Sequence, residues 1–147
     1  MNTKWLITLM LLWSFGVAYA VGQQTPLDAS TIRGVKIALT QHALALQRGD
    51  VAALKQQLSP SGEAYKQYQT LLEQNPTYPE FLRNFYQGSR FAVGNIVMGR
   101  GDEVIAELVI ELQNGSPTVT KLRLKPAGNT WTILAADRPE SSHSSNP

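Results

Sequence analysis

The stretch Glu103-Val104-Ile105-Ala106-Glu107-Leu108-Val109-Ile110-Glu111-Leu112-Gln113 alternates with a period of two. Val104, Ala106, Leu108, Ile110 and Leu112 are all apolar, whereas Glu103, Glu107 and Glu111 alternate with Ile105 and Val109 on the other set. Successive side chains of a strand point to opposite faces, so this pattern predicts a strand with one face in a core. The same period continues on both sides. Arg90–Met98 precedes it across Gly99-Arg100-Gly101-Asp102, Thr118–Lys125 follows across Asn114-Gly115, and Thr130–Ala135 follows Ala127-Gly128-Asn129. Asn-Gly is a hairpin signal. A two-residue turn there would set Glu107 opposite Leu122 and place charge beside core. Consistent faces require a loop of odd length or a bulge, because a slip of one residue exchanges the two faces. Glu107 and Glu111 then share a row with Lys121, Arg123 and Lys125, a self-complementary solvated face.

Upstream the period is 3.6. Asp28 or Ser30 can cap a helix whose stripe is Ile32, Val35, Leu39, Ala43 and Leu46. Ile37 and Leu44 lie on its opposite side, which predicts cover on more than one face. Gly49 suits a left-handed stop, and Asp50 caps a second helix over Val51–Leu58, ended by Ser59-Pro60. A third helix over about 62–74 groups Ala64, Tyr65, Tyr68, Leu71 and Leu72. A fourth takes Pro79 in its first turn, where the missing N–H costs nothing, and groups Phe81, Leu82 and Phe85 before Gly88. Helices followed by a four-stranded antiparallel meander make an α+β layout, with the N-terminal helices packed on one sheet face.

The chain opens with Lys4, an apolar run Trp5–Trp13 and the small-residue ending Ala18-Tyr19-Ala20. That is the arrangement of a secretory signal peptide over residues 1–20, cleaved after Ala20, and it predicts a periplasmic or secreted protein. The run Trp5–Ala20 is shorter than the ~20 residues that span a bilayer, so no membrane association is expected after cleavage. The domain is expected over 28–136, and the Ser-, Pro- and Asn-rich residues 137–147 as a disordered tail. Net charge is +2 and falls by one with Lys4, which gives no electrostatic footprint for nucleic acid. The absence of cysteine excludes a lipidated cysteine, a disulfide framework and a thiol nucleophile together.

Ala43-Leu44-Ala45-Leu46-Gln47-Arg48-Gly49-Asp50-Val51-Ala52-Ala53-Leu54 resembles the helix–Gly-Asp–helix opening of nuclear transport factor 2-like domains. Asp102–Glu107, Asn114-Gly115, Thr120–Lys125 and Trp131-Thr132-Ile133 resemble their ending. The likeness covers nearly all of 28–136 and is closest to the small exported bacterial members. It implies a cone-shaped, cystatin-like roll whose curved sheet is covered by helices on its concave face, with a pocket at the wide end. Relatives of this kind include ketosteroid isomerases, polyketide cyclases and dehydratases. None of their catalytic motifs is identifiable here residue by residue, so no catalytic residue is carried over.

The residues themselves support that restraint. His42 sits at the edge of the first helical stripe, where a packed structural role accounts for it, and His143 lies in the tail. Two distant histidines and no cysteine make no metal cluster, and no cofactor motif occurs. Asp28, Asp50, Asp102 and Asp137 each have a cap, turn or tail explanation. The aromatics are more informative: Tyr65, Tyr68, Tyr78, Phe81, Phe85, Tyr86 and Phe91 crowd into one segment, and Trp131 stands apart. Packing of two short helices accounts for them as a lid. Alternatively Tyr65, Tyr68, Phe81, Phe85, Tyr86 and Trp131 line a ligand pocket, because such sites are mainly apolar with a few polar groups. The expected function is a non-enzymatic exported domain binding a small apolar ligand or an envelope protein. The alternatives are an isomerase- or dehydratase-like enzyme, needing an ionisable group beside a tyrosine in a cavity, and a membrane-anchored subunit of a secretion or envelope assembly. A homodimer through the open sheet face is a further expectation by analogy with the fold.

Overall fold

The computed structural model describes residues 26–136; the expected signal peptide (1–20) and the expected tail (137–147) lie outside the described residues. Four helices, α1 (Ala29–Arg48), α2 (Val51–Gln57), α3 (Glu63–Gln74) and α4 (Tyr78–Tyr86), precede four strands. These are β1 (Arg90–Met98), β2 (Val104–Glu111), β3 (Thr118–Ala127) and β4 (Thr130–Ala136), forming one antiparallel sheet in the order β1-β2-β3-β4. The architecture is α+β with a curved four-stranded sheet, as the switch of period requires.

Each helix begins and ends for a local reason. The Asp28 carboxylate accepts the Thr31 N–H at 2.7 Å, and the Asp50 carboxylate accepts the Ala53 N–H at 3.0 Å. Both occupy amide groups that a helix start leaves without partners. Gly49 takes φ 60°, and the N–H groups of Gly49 and Asp50 bond back to Leu46 and Ala45 carbonyls. That left-handed residue turns the chain at once from α1 into α2.

Seven residues separate the last paired positions, Ile110 and Thr118, so Glu107 stands opposite Lys121 and Ile105 opposite Arg123. The odd loop keeps Val104, Ala106 and Leu108 on the buried face together with Leu122 and Leu124. On the outer face the charges pair differently from a simple row. Glu111 bonds Arg90 at 2.9 Å, Glu103 lies 3.9 Å from Arg123, and Glu107 turns instead to the Asn95 N–H at 3.0 Å. That last bond sits at a register break in β1 between Val93 and Ile96. A second break lies in the β3–β4 pairing, where Leu134 is an extra residue of β4 between Ile133, opposite Leu124, and Ala135, opposite Arg123. Bulges of this kind bend strands and increase twist, which is how a meander becomes a concave sheet.

One core cluster joins Val35, Ala38, Leu39 and Ala43 of α1 to Val104, Ala106, Leu108, Leu122, Leu124 and Ile133 of the sheet. A second joins Ala45 and Leu46 to Val51 and Leu54 of α2 and Leu82 of α4. α1 is thus buried along one broad face only. Ile37 is 52% exposed, which corrects the expectation of cover on its far side: among the described residues no element packs there. The chain after α2 lies along β4, where Leu58 bridges Ile133 in parallel and the Ser59 N–H bonds the Ile133 carbonyl at 3.0 Å. This short contact closes the β4 edge.

Candidate functional site

α1 crosses the concave face, α3 and α4 stand at one end of it, and a cavity of about 220 Å³ remains between them and the sheet. Leu46, Leu58, Leu108, Ile110, Leu122 and Ile133 give it apolar walls. Its polar members are His42, Gln67, Tyr68, Tyr86 and Thr120, and no carboxylate lines it among the described residues.

His42 is the buried centre of this set, 7% exposed on α1. Burial holds its pKa down, from an ordinary 6.5 to about 4, while the facing Gln57 side chain acts in the opposite direction. Neither His42 Nδ1 nor Gln57 Oε1 completes a hydrogen bond of good geometry. The imidazole is therefore neutral near pH 7, with the Gln57 amide as its polar neighbour rather than a charged one.

The two cavity phenols are kept neutral by the same cause. Burial raises Tyr68 far above the usual phenol range, and the neighbouring Tyr78 and Tyr86 add to the effect. Burial also raises Tyr86. A chain of rings connects the two outside the cavity. Tyr68 meets Tyr78 at 6.2 Å, Tyr78 meets Phe81 at 6.0 Å, and Phe81 meets Phe85 at 5.6 Å. Phe85 then meets Tyr86 edge-on at 4.9 Å. Offset and edge-on contacts at these separations are the favourable aromatic geometries, and they fix α4 against α3.

Of the six aromatics expected in a pocket, the fold brings Tyr68 and Tyr86 together in the cavity. Phe81 and Phe85 are about half exposed on α4 and support the phenols from outside. Tyr65 packs on the main core with the Lys55 ammonium 5.0 Å from its ring. Trp131 closes against Gly34 on α1, where an added Cβ would stand 2.7 Å from the indole nitrogen; it lines a different depression. His42 was missing from the expected pocket. The signal that could have found it was its place between Leu39 and Leu46 on the buried stripe.

This arrangement of bent sheet and covering helices matches solved structures. A Nostoc punctiforme protein of unknown function with a cystatin-like fold superposes with TM-score 0.51 at 15% identity, over 76% of this chain and 92% of that one. The fold is the nuclear transport factor 2-like, cystatin-like fold. A nuclear transport factor 2-like protein of unknown function from Shewanella oneidensis gives TM-score 0.52 at 16% identity, over 71% of this chain and 95% of that one. No protein-family profile matches the chain, and no curated protein is significantly similar to it. At such identities the likeness concerns the nuclear transport factor 2-like fold alone, and the site rests on its own geometry.

Proposed function

We propose that this chain is an exported domain that binds a small, uncharged, largely apolar molecule in its cone cavity. The observation that carries the reading is His42: buried and neutral in the cavity wall, together with two neutral phenols and no carboxylate among the described lining residues. Every polar group there is held in its uncharged form, so a charged ligand would lose hydration without finding a counter-charge. At about 220 Å³ the cavity lies below the ~300–1,000 Å³ of drug-sized sites, which favours a molecule of one ring or a short chain. The leader pattern at residues 1–20 supports export.

His42 beside Tyr68 and Tyr86 also supports a second reading, an enzyme that moves a proton. A general base works best with its pKa near the operating pH. A histidine held near 4 with no carboxylate to raise it favours hydrogen bonding over proton abstraction, so binding is preferred.

The test is native mass spectrometry of the protein recovered from its producing cells, followed by amide-resolved NMR titration with p-cresol and cyclohexanol. A retained small molecule, or saturable shifts centred on His42, Tyr68 and Tyr86 that His42→Leu weakens, supports the reading. No retained mass and no saturable shift defeats it. N-terminal sequencing of the same sample gives Val21 if the leader is removed, whereas Met1 defeats the cleaved-leader reading.

A further inference from the structure

We propose that the groove between α1, α2 and β4 is a second binding site, separate from the cone cavity, for a small uncharged polyhydroxyl ligand of the saccharide class. The groove has a volume of about 420 Å³ and shares no lining residue with the cavity. The wall between the two spaces is one residue thick. Gln41, Gln57 and Thr132 face the groove, while their successors His42, Leu58 and Ile133 face the cavity.

The chemistry of the two sides is opposite. Three primary amides, Gln41, Gln56 and Gln57, converge on the groove from two helices, with the Trp131 indole forming part of its β4 wall. Arg48 and Asp50 supply one charge of each sign on either side of the Gly49 turn. Among the described residues no side-chain hydrogen bond or ion pair occupies Gln41, Gln56 or Arg48. At the base, Thr132 Oγ1 is buried and without a partner, whereas the Gln57 amide is engaged with His42 on the far side of the wall. A buried hydroxyl without a partner in the floor of a depression calls for one.

Primary amides donate and accept at once, as hydroxyl groups do, so a ring carrying several hydroxyls can pair with them in varied orientations. The balanced charges give no net attraction for an anion or a cation. Among the described residues no group of three metal-ligating side chains occurs. The C–H face of a sugar ring is the apolar surface that an indole accepts.

The test uses the full-length chain carrying Trp5→Phe and Trp13→Phe, in which Trp131 is the sole tryptophan. Its emission is titrated with glucose, N-acetylglucosamine and maltose up to tens of millimolar, with glycerol as the acyclic control. The expected result is a saturable change with at least one sugar and none with glycerol. Gln41→Ala and Gln56→Ala, both exposed helix positions, should weaken it by about fivefold or more, the worth of one lost hydrogen bond. Tyr68→Phe, in the cone cavity, should leave it unchanged. No saturable change with any sugar, an equal response to glycerol, or a response undiminished by both glutamine variants overturns the proposal.

Discussion

Lowering the pH should unfold this domain through His42, and the size of the effect follows from its burial. In the unfolded chain the imidazole titrates near 6.5, whereas the folded domain resists protonation until about 4. Between those values the unfolded state binds more protons, so stability rises with pH across the window. The contribution is complete above about 6.5 and is lost as pH falls toward 4. At about 1.4 kcal/mol for each pH unit, the whole window is worth about 3–4 kcal/mol. That is a large part of the ~5–15 kcal/mol typical of a domain. Urea unfolding followed by far-UV circular dichroism, at pH steps from about 7.5 to about 4.5, measures it directly. The comparison chain is His42→Leu, in which every carboxylate still titrates and only the buried imidazole is gone. The native chain should lose about 2–3 kcal/mol more than the variant between those limits. Near pH 7 the two chains should be closer in stability, because the variant removes one buried polar group but leaves the Gln57 amide facing an apolar side chain. Parallel pH profiles for the two chains would refute the reasoning, and with it the neutral cavity on which the proposed ligand class rests.

Gly49→Ala should cost far more than Gly101→Ala or Gly128→Ala, although all three glycines have φ near +60°. The last two have open space around an added Cβ and bear only the left-handed penalty, about 1–2 kcal/mol. At Gly49 the Cβ would clash with the Pro79 carbonyl oxygen, raising the cost to about 3–4 kcal/mol or more; equal melting temperatures for the three variants would contradict this. Gly94→Ala would place Cβ 2.8 Å from a Glu107 carboxylate oxygen and should cost about 1–3 kcal/mol. Glu107→Ala should recover part of that loss, and strictly additive effects in the double-mutant cycle would show that the bulge does not depend on this carboxylate. Asp50→Ala should destabilise by about 1 kcal/mol and Asp50→Asn by much less, because the cap needs only an acceptor for the Ala53 N–H; equal chemical-unfolding midpoints for both variants would exclude that role.

The legible parts of this protein are those set by near neighbours in the chain. Gly49 and Asp50 announce a helix junction because φ above zero and a capping oxygen are properties of single residues. The parity of Val104 to Leu112 marks a buried face because a strand repeats every second residue. Even the odd β2–β3 loop follows, since charge and core cannot share one face. The candidate site was legible only in part. Tyr65 and Tyr68 have equal claims by spacing, yet Tyr65 rests on the core beneath Lys55 and only Tyr68 reaches the cavity. Phe81 and Phe85 sit on the apolar stripe of α4 but lie beyond the rim.

Local physics therefore determined the α+β layout, the element boundaries to within a residue or two, and the face parity of β2 against β3. The tertiary structure alone decided which side chains share a space. Bulges at Gly94-Asn95 in β1 and at Leu134 in β4 curve the sheet, and a cavity remains between it and α1 with His42 in its wall. Helical periodicity says which face of α1 is buried, but desolvation depends on what stands opposite. An imidazole on an apolar stripe becomes a neutral, desolvated group only when the elements packed around it leave it no counter-charge.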